Sequence, residues 1–141
     1  MTLIKDLPHG ELNLCLLLVV IVLTDSLAYF GGRRFGKTSL APGISPKKTR
    51  EGSFCGTVGS MLVGSVIAVN WLEFSWPMAL LLTFLISVLG QVGDLVESKM
   101  KRLCGVKDSG KVLPGHGGIL DRLDSFLLTT PFFYYWILLL A

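Results

Sequence analysis

Four stretches of the chain are apolar over nearly their whole length, and polar or charged residues separate them. They run from about Leu12 to Phe30, Phe54 to Leu72, Pro77 to Val96 and Leu123 to Ala141. Each comes close to the roughly 20 apolar residues an α-helix needs to cross the hydrocarbon core of a bilayer. Backbone groups at that depth have no water to bond, so the stretches predict helices rather than strands. The expected fold class is all-α, a polytopic membrane protein of four transmembrane helices, with residues 1–141 forming a single integral membrane domain. Two polar loops, about 31–53 and 97–122, and a tight turn at 73–76 connect the spans. Small residues stand at helical spacing in the second span (Gly56, Gly59, Ser60, Gly64 and Ser65), which suits close approach of a neighbouring helix.

Composition agrees with lipid as the solvent. Of 141 residues, 51% are hydrophobic and only 16% charged, against about 25% charged in soluble domains. Mean hydropathy is +0.63. Disorder, a coiled coil and a small disulfide scaffold are excluded. Cys15, Cys55 and Cys104 show no metal-ligand spacing. Ser26-Leu27-Ala28 loosely fits a leader cleavage site, but Lys5 is opposed by Asp6 and Glu11, so the first span is expected to be retained.

Charge placement sets the orientation. The first loop holds Arg33, Arg34, Lys37, Lys47, Lys48 and Arg50; the second holds Lys99, Lys101, Arg102, Lys107, Lys111 and Arg122. Lys5 is the one basic residue elsewhere. By the positive-inside rule both loops are cytoplasmic, with the termini and the short turn outside. The active face is then cytoplasmic, at the plasma (inner) membrane if the source is bacterial.

Four acids stand at the same side. Asp25 and Asp94 lie near the inner ends of spans one and three, and Asp121 and Asp124 at the start of span four. A carboxylate at mid-bilayer costs roughly 2.5–3.5 kcal/mol on the insertion scale. Near the interface it costs less, and for any one of them helix capping is the plainer account. Together they offer oxygen ligands for a hard divalent cation such as Mg²⁺. Asp121 and Asp124 share a helix face, as do Asp94, Glu97, Ser98 and Lys101. Pro114-Gly115-His116-Gly117-Gly118 precedes the fourth helix, where glycines permit close approach to an anion at a helix N-terminus; a flexible turn with an N-cap is the alternative.

One motif is rejected. Residues 31–38 satisfy G-x-x-x-x-G-K-[ST] literally, but a P-loop needs a strand before it and a helix after it. Here a span precedes, and Ser39-Leu40-Ala41-Pro42-Gly43 is poor helix material. Arg33, Arg34 and Lys37 serve topology first and phosphate contact second. The residues alone thus indicate basic loops and metal-competent acids at one membrane face, suited to transfer of a phosphoryl-type group.

The stretch from Ser98 to Asp124 then becomes recognisable. It resembles the signature of the phosphatidate cytidylyltransferases (CDP-diacylglycerol synthases), met by Ser98, Lys101, Arg102, Lys107, Asp108, Pro114, His116, Gly117, Gly118, Asp121, Arg122 and Asp124. Gly93-Asp94, Glu97-Ser98 and the earlier Ala28-Tyr29, Phe35-Gly36-Lys37, Leu40-Ala41-Pro42, Ser45-Pro46, Lys48-Thr49 and Glu51-Gly52 are also similar to that family. Leu27 and Arg50 depart from it, standing where a small residue and Trp are usual. The chain resembles the C-terminal half of these enzymes, whose other members carry further spans ahead of this region.

The resemblance implies a nucleotidyltransferase that joins CTP to phosphatidic acid, giving CDP-diacylglycerol and pyrophosphate for phospholipid biosynthesis. Asp94, Asp121 and Lys101 are the implied catalytic residues. Mg²⁺ would be held by Asp94 and Asp121 with Asp124 and Asp25 in support. Lys48, Ser98, Arg102, Lys107, Asp108, His116, Gly117, Gly118 and Arg122 would bind substrate. The expected partners are CTP, phosphatidic acid and the bilayer, with no nucleic acid. A homodimer, or a second membrane chain supplying the missing helices, is a further candidate partner. The alternatives are a CTP-dependent lipid alcohol kinase and a catalytically silent or split half of the transferase.

Overall fold

A computed structural model describes residues 9–105 and 120–140, the side chains of 120–124 and 140 excepted. Helix α1 spans Gly10–Phe35, strands β1 and β2 span Ser39–Ala41 and Ser45–Thr49, and helices α2, α3 and α4 span Arg50–Leu72, Trp76–Leu103 and Leu120–Leu140. At 1.5 Å per residue, α1 and α3 are about 39 and 42 Å long, well beyond the hydrocarbon thickness. The helices α1, α2 and α3 are each long and apolar enough to cross a bilayer, and α4 contains a shorter apolar stretch, Ser125–Leu139. This is the architecture of a polytopic membrane protein.

Two expectations need correction. The first polar loop is not wholly irregular: β1 and β2 pair antiparallel, and the turn between them closes with Ile44 N–H donating to the Ala41 carbonyl at 3.1 Å. Pro42 supplies the fixed φ that the second position of such a turn favours. The helices also outrun the apolar stretches. Arg33 and Arg34 lie on α1, Arg50 to Ser53 on α2, and Ser98, Lys101 and Arg102 on α3. Hydropathy marks where lipid ends, whereas Ser98-Lys99-Met100-Lys101-Arg102-Leu103 is mostly good helix former and continues the turn into the polar zone. Basic residues in the last turns of α1 and α3 also oppose the negative end of each helix dipole. Residues 31–35 are helical and a strand follows, the reverse of the order a P-loop requires.

Packing explains why these helices assemble where lipid removes the usual hydrophobic drive. The main α1–α2 contact is built on missing side chains. A Cβ on Gly56 would lie 2.6 Å from the Thr24 carbonyl oxygen, and one on Gly52 would lie 2.5 Å from that of Ala28. Where the backbones come that close, small polar side chains meet. Thr24 Oγ1 lies 2.8 Å from Ser60 Oγ and 3.0 Å from Ser87 Oγ, tying α1, α2 and α3 at one buried point. Ser65 and Thr83 hydroxyls meet at 3.1 Å further along the α2–α3 contact. Around this polar seam lies an apolar core, with Leu16, Leu17 and Val20 from α1, Leu82 and Ile86 from α3, and Phe133 from α4 all buried. Leu18, Val22, Phe84 and Leu138 face outward, where lipid accepts them.

Candidate active site

A cavity of about 470 Å³ opens where α1, the hairpin and the neighbouring ends of α2 and α3 meet. Asp25, Tyr29 and Arg33 line it from α1 at intervals of four residues, which places them on one helix face. Lys47 and Lys48 enter from β2, Ser53 from α2, and Gln91 and Asp94 from α3. The cavity is therefore built by four elements, and no one of them holds more than a fragment of its chemistry.

Lys48 Nζ donates to Asp94 Oδ2, joining β2 to α3 through an ion pair. The two side chains are 29% and 25% exposed, so the pair sits at the mouth rather than in the dry interior. Ser98, one turn further on, donates its hydroxyl to Asp94 Oδ1 at 3.4 Å. Asp25 interacts electrostatically with both Asp94 and Lys48. Beneath them the floor is tied down. Ser53 donates its hydroxyl to Gln91 Oε1, and Gln91 Nε2 donates to Thr57 Oγ1 at 2.9 Å. Thr57 in turn accepts from Ser87, 3.4 Å away, in the buried hydroxyl seam.

The hairpin is held at its base. Arg50 N–H donates to the Thr38 carbonyl at 3.0 Å, and Thr49 Oγ1 caps α2 by accepting from Gly52 N–H at 3.2 Å. Glu51 accepts from Lys37 N–H at 3.2 Å and from the Thr38 hydroxyl at 2.7 Å. These bonds fix the backbone that carries Lys47 and Lys48. At the tip, Arg102 Nε donates to the Ile44 carbonyl at 3.4 Å, a contact from α3 to the hairpin turn. Lys101 pairs with Glu97 at 3.3 Å on the same helix, and Glu97 is only 6% exposed.

The structure thus brings together Asp25, Lys48 and Asp94 from three elements, with Ser98 bonded to Asp94. Lys101 and Arg102 do not line the cavity; one pairs along α3 and the other holds the hairpin tip. Asp121, Arg122 and Asp124 belong to the first turns of α4, and their side chains lie outside the described ones. Lys107, Asp108, His116, Gly117 and Gly118 lie outside the described residues. Arg33, expected to serve topology first and phosphate contact second, lines the cavity, and so do Tyr29, Lys47, Ser53 and Gln91, to which the sequence assigned no site role. For Gln91 there was a signal, since it stands three residues before Asp94 in an otherwise apolar helix.

The donor set tests the expected cation. Two carboxylates, Asp25 and Asp94, share one cavity, and hard oxygen donors of this kind suit a hard divalent ion. Among the described residues, no three His, Cys, Asp or Glu side chains gather at one point. Asp25 and Asp94 fit as part of such a site.

Fold and cavity together define a membrane protein whose charged pocket, rich in Lys, Arg and Asp, opens at one end of its helices. The family-model comparison is specific: residues 1–140 match the cytidylyltransferase family, and the chain belongs to it. The phosphatidate cytidylyltransferase of Bacillus subtilis (strain 168) is 51% identical over 124 residues, covering 87% of this chain and 46% of that protein. The protein of the same name from Helicobacter pylori (strain ATCC 700392 / 26695) is 49% identical over 118 residues, covering 84% and 44%. The Synechocystis sp. protein of that name is 47% identical over 140 residues, covering 96% and 46%. The chain therefore spans a little under half the length of these relatives.

Proposed function

We propose that this chain carries the phosphate-handling part of a phosphatidate cytidylyltransferase. In this reaction a phosphatidic acid phosphate oxygen attacks the α-phosphorus of CTP, forming CDP-diacylglycerol as the bond to pyrophosphate breaks. The observation that carries the proposal is the cavity that unites Asp25, Asp94 and Lys48 beside the basic Arg33 and Lys47. Its place at the ends of apolar helices suits a substrate whose acyl tails stay in the bilayer while its headgroup reaches the mouth. Four spans with both connecting loops on the cytoplasmic side complete the proposed topology.

The chain's own residues divide the work. Lys47, Lys48 and Arg33 bind phosphate oxygens, and their charge offsets the repulsion between two anionic substrates. Tyr29 and Ala28 also line the cavity, beside Asp25 and Arg33 on α1. Gln91 and Ser53, locked to each other, keep the floor in place. Asp94 and Asp25, with Asp121 and Asp124 from α4, would hold Mg²⁺, which when bound neutralises charge on the triphosphate. A phosphate monoester is already ionised at neutral pH, so no strong general base is required. Arg102 contributes by fixing the hairpin and Lys101 by neutralising Glu97.

The test supplies labelled CTP, phosphatidic acid and Mg²⁺ to the chain in lipid nanodiscs, alone and co-expressed with the N-terminal half of a relative. CDP-diacylglycerol with one pyrophosphate per turnover is the expected product. Activity only in the co-expressed sample would establish a split enzyme. A phosphorylated lipid alcohol with CDP would make the chain a kinase, and no product in either sample would make it silent.

A further inference from the structure

We infer that Lys48 is an exchangeable counter-ion. Its ammonium holds Asp94 while no divalent cation is present, and turns to a ligand phosphate once a cation takes its place. This rests on the proposed use of the cavity for a cation and phosphates, and adds an order of events to it.

The geometry supplies three reasons. Asp25 and Asp94 reach one cavity from α1 and α3, so without a cation they repel each other; Lys48 relieves that repulsion. The oxygen it uses, Asp94 Oδ2, is the one left open by Ser98, which bonds Oδ1. A cation arriving at Oδ2 competes with the ammonium for that oxygen, and repulsion between the two positive charges drives the ammonium off. Finally, the backbone of Lys48 is anchored while its side chain is free to turn. Strand pairing and the Thr49 cap hold β2, whereas lysine is a compact charge on a flexible four-carbon stem. An arginine forked onto the carboxylate would have to break two bonds at once.

The charges follow. Lys48 leaves the two carboxylates with one net negative charge, while Arg33 and Lys47 stand at the rim. A divalent cation at Asp94 releases the Lys48 charge to join them, making a three-cation cradle for phosphate. Cation binding and phosphate binding are then coupled, each raising the affinity for the other. A cation, or a cation already bound to a triphosphate, enters before the lipid phosphate.

The test needs no turnover. Mn²⁺ binding to the chain in nanodiscs is followed by electron paramagnetic resonance, and metal-free binding of inorganic phosphate by calorimetry. Lys48→Met removes the competing ammonium and should bind Mn²⁺ about tenfold tighter. Asp94→Asn frees the ammonium and should bind phosphate about tenfold tighter without metal, a gain that Asp94→Asn with Lys48→Met should lose. Unchanged or weaker Mn²⁺ binding by Lys48→Met overturns the exchange, and so does a phosphate gain that survives in the double variant. Should Lys48→Met not insert, the Asp94→Asn arm decides alone, and no gain there overturns the proposal. Mn²⁺ affinity indifferent to Asp94→Asn in an otherwise native chain removes the cation from this cavity, a separate failure of the underlying function.

Discussion

At the scale of single residues, Asp94 is where the charged contacts of the cavity converge. It takes Lys48 on one oxygen and Ser98 on the other, and shares the cavity with Asp25. Asp94→Ala should therefore lower turnover at least about 100-fold, while insertion and helical content stay native. Ser98→Ala removes only one long hydrogen bond from the same carboxylate and should cost about three- to tenfold. Equal losses in the two variants would mean that Ser98 touches substrate itself. Asp25 and Asp94 were visible in the sequence because a charge in an apolar stretch is expensive and stands out; Lys48, one of six basic residues in a polar loop, took its site role from the family resemblance. Gln91 gave a weaker signal, a lone amide three residues before Asp94 in an apolar helix, and Ser53, uncharged and near a helix end, gave none. Arg33 was visible as a charge, read for topology first and phosphate contact second, and the helix turns it to the cavity.

Among the elements, the α1–α2 contact depends on absent atoms. Gly56→Ala should destabilise the protein by about 1–3 kcal/mol, because its methyl meets the Thr24 carbonyl and the Ala28 side chain. The sign is informative. In an unpacked helix the same change stabilises by about 1 kcal/mol through propensity. Thermal unfolding in detergent checks it, and a raised melting temperature would show that the helices do not meet as closely as the structure has them. The run of small residues in α2 pointed to this contact, yet not to its partner: pairing with α1 follows from chain reversal through the hairpin. Helix ends were the least legible feature. Hydropathy changes at the edge of lipid, and helix propensity carries α1 and α3 beyond it.

For the whole molecule, orientation is the open property with a direct test. Cys104 is exposed at the C-terminal end of α3, while Cys15 and Cys55 are half-buried. With those two changed to serine, a membrane-impermeant maleimide should label Cys104 in inverted vesicles and leave it unlabelled in intact spheroplasts until they are permeabilised. Labelling in intact spheroplasts would put the cavity on the outer face and end the cytoplasmic assignment, CTP being inside.

The sequence by itself determined that this chain lives in lipid, that it forms long helices, and that its charges collect at one end of them. Those properties follow from the cost of exposing backbone and charge to hydrocarbon, which any stretch of chain meets independently of its neighbours. The family signature was equally local. Tertiary structure alone decided which charges meet. The hairpin delivers Lys48 to Asp94, 46 residues away, and draws Arg102 to its own tip instead. Such pairings depend on how closely glycine lets two backbones approach and on where a turn aims a strand, and neither is encoded at the position whose function it sets.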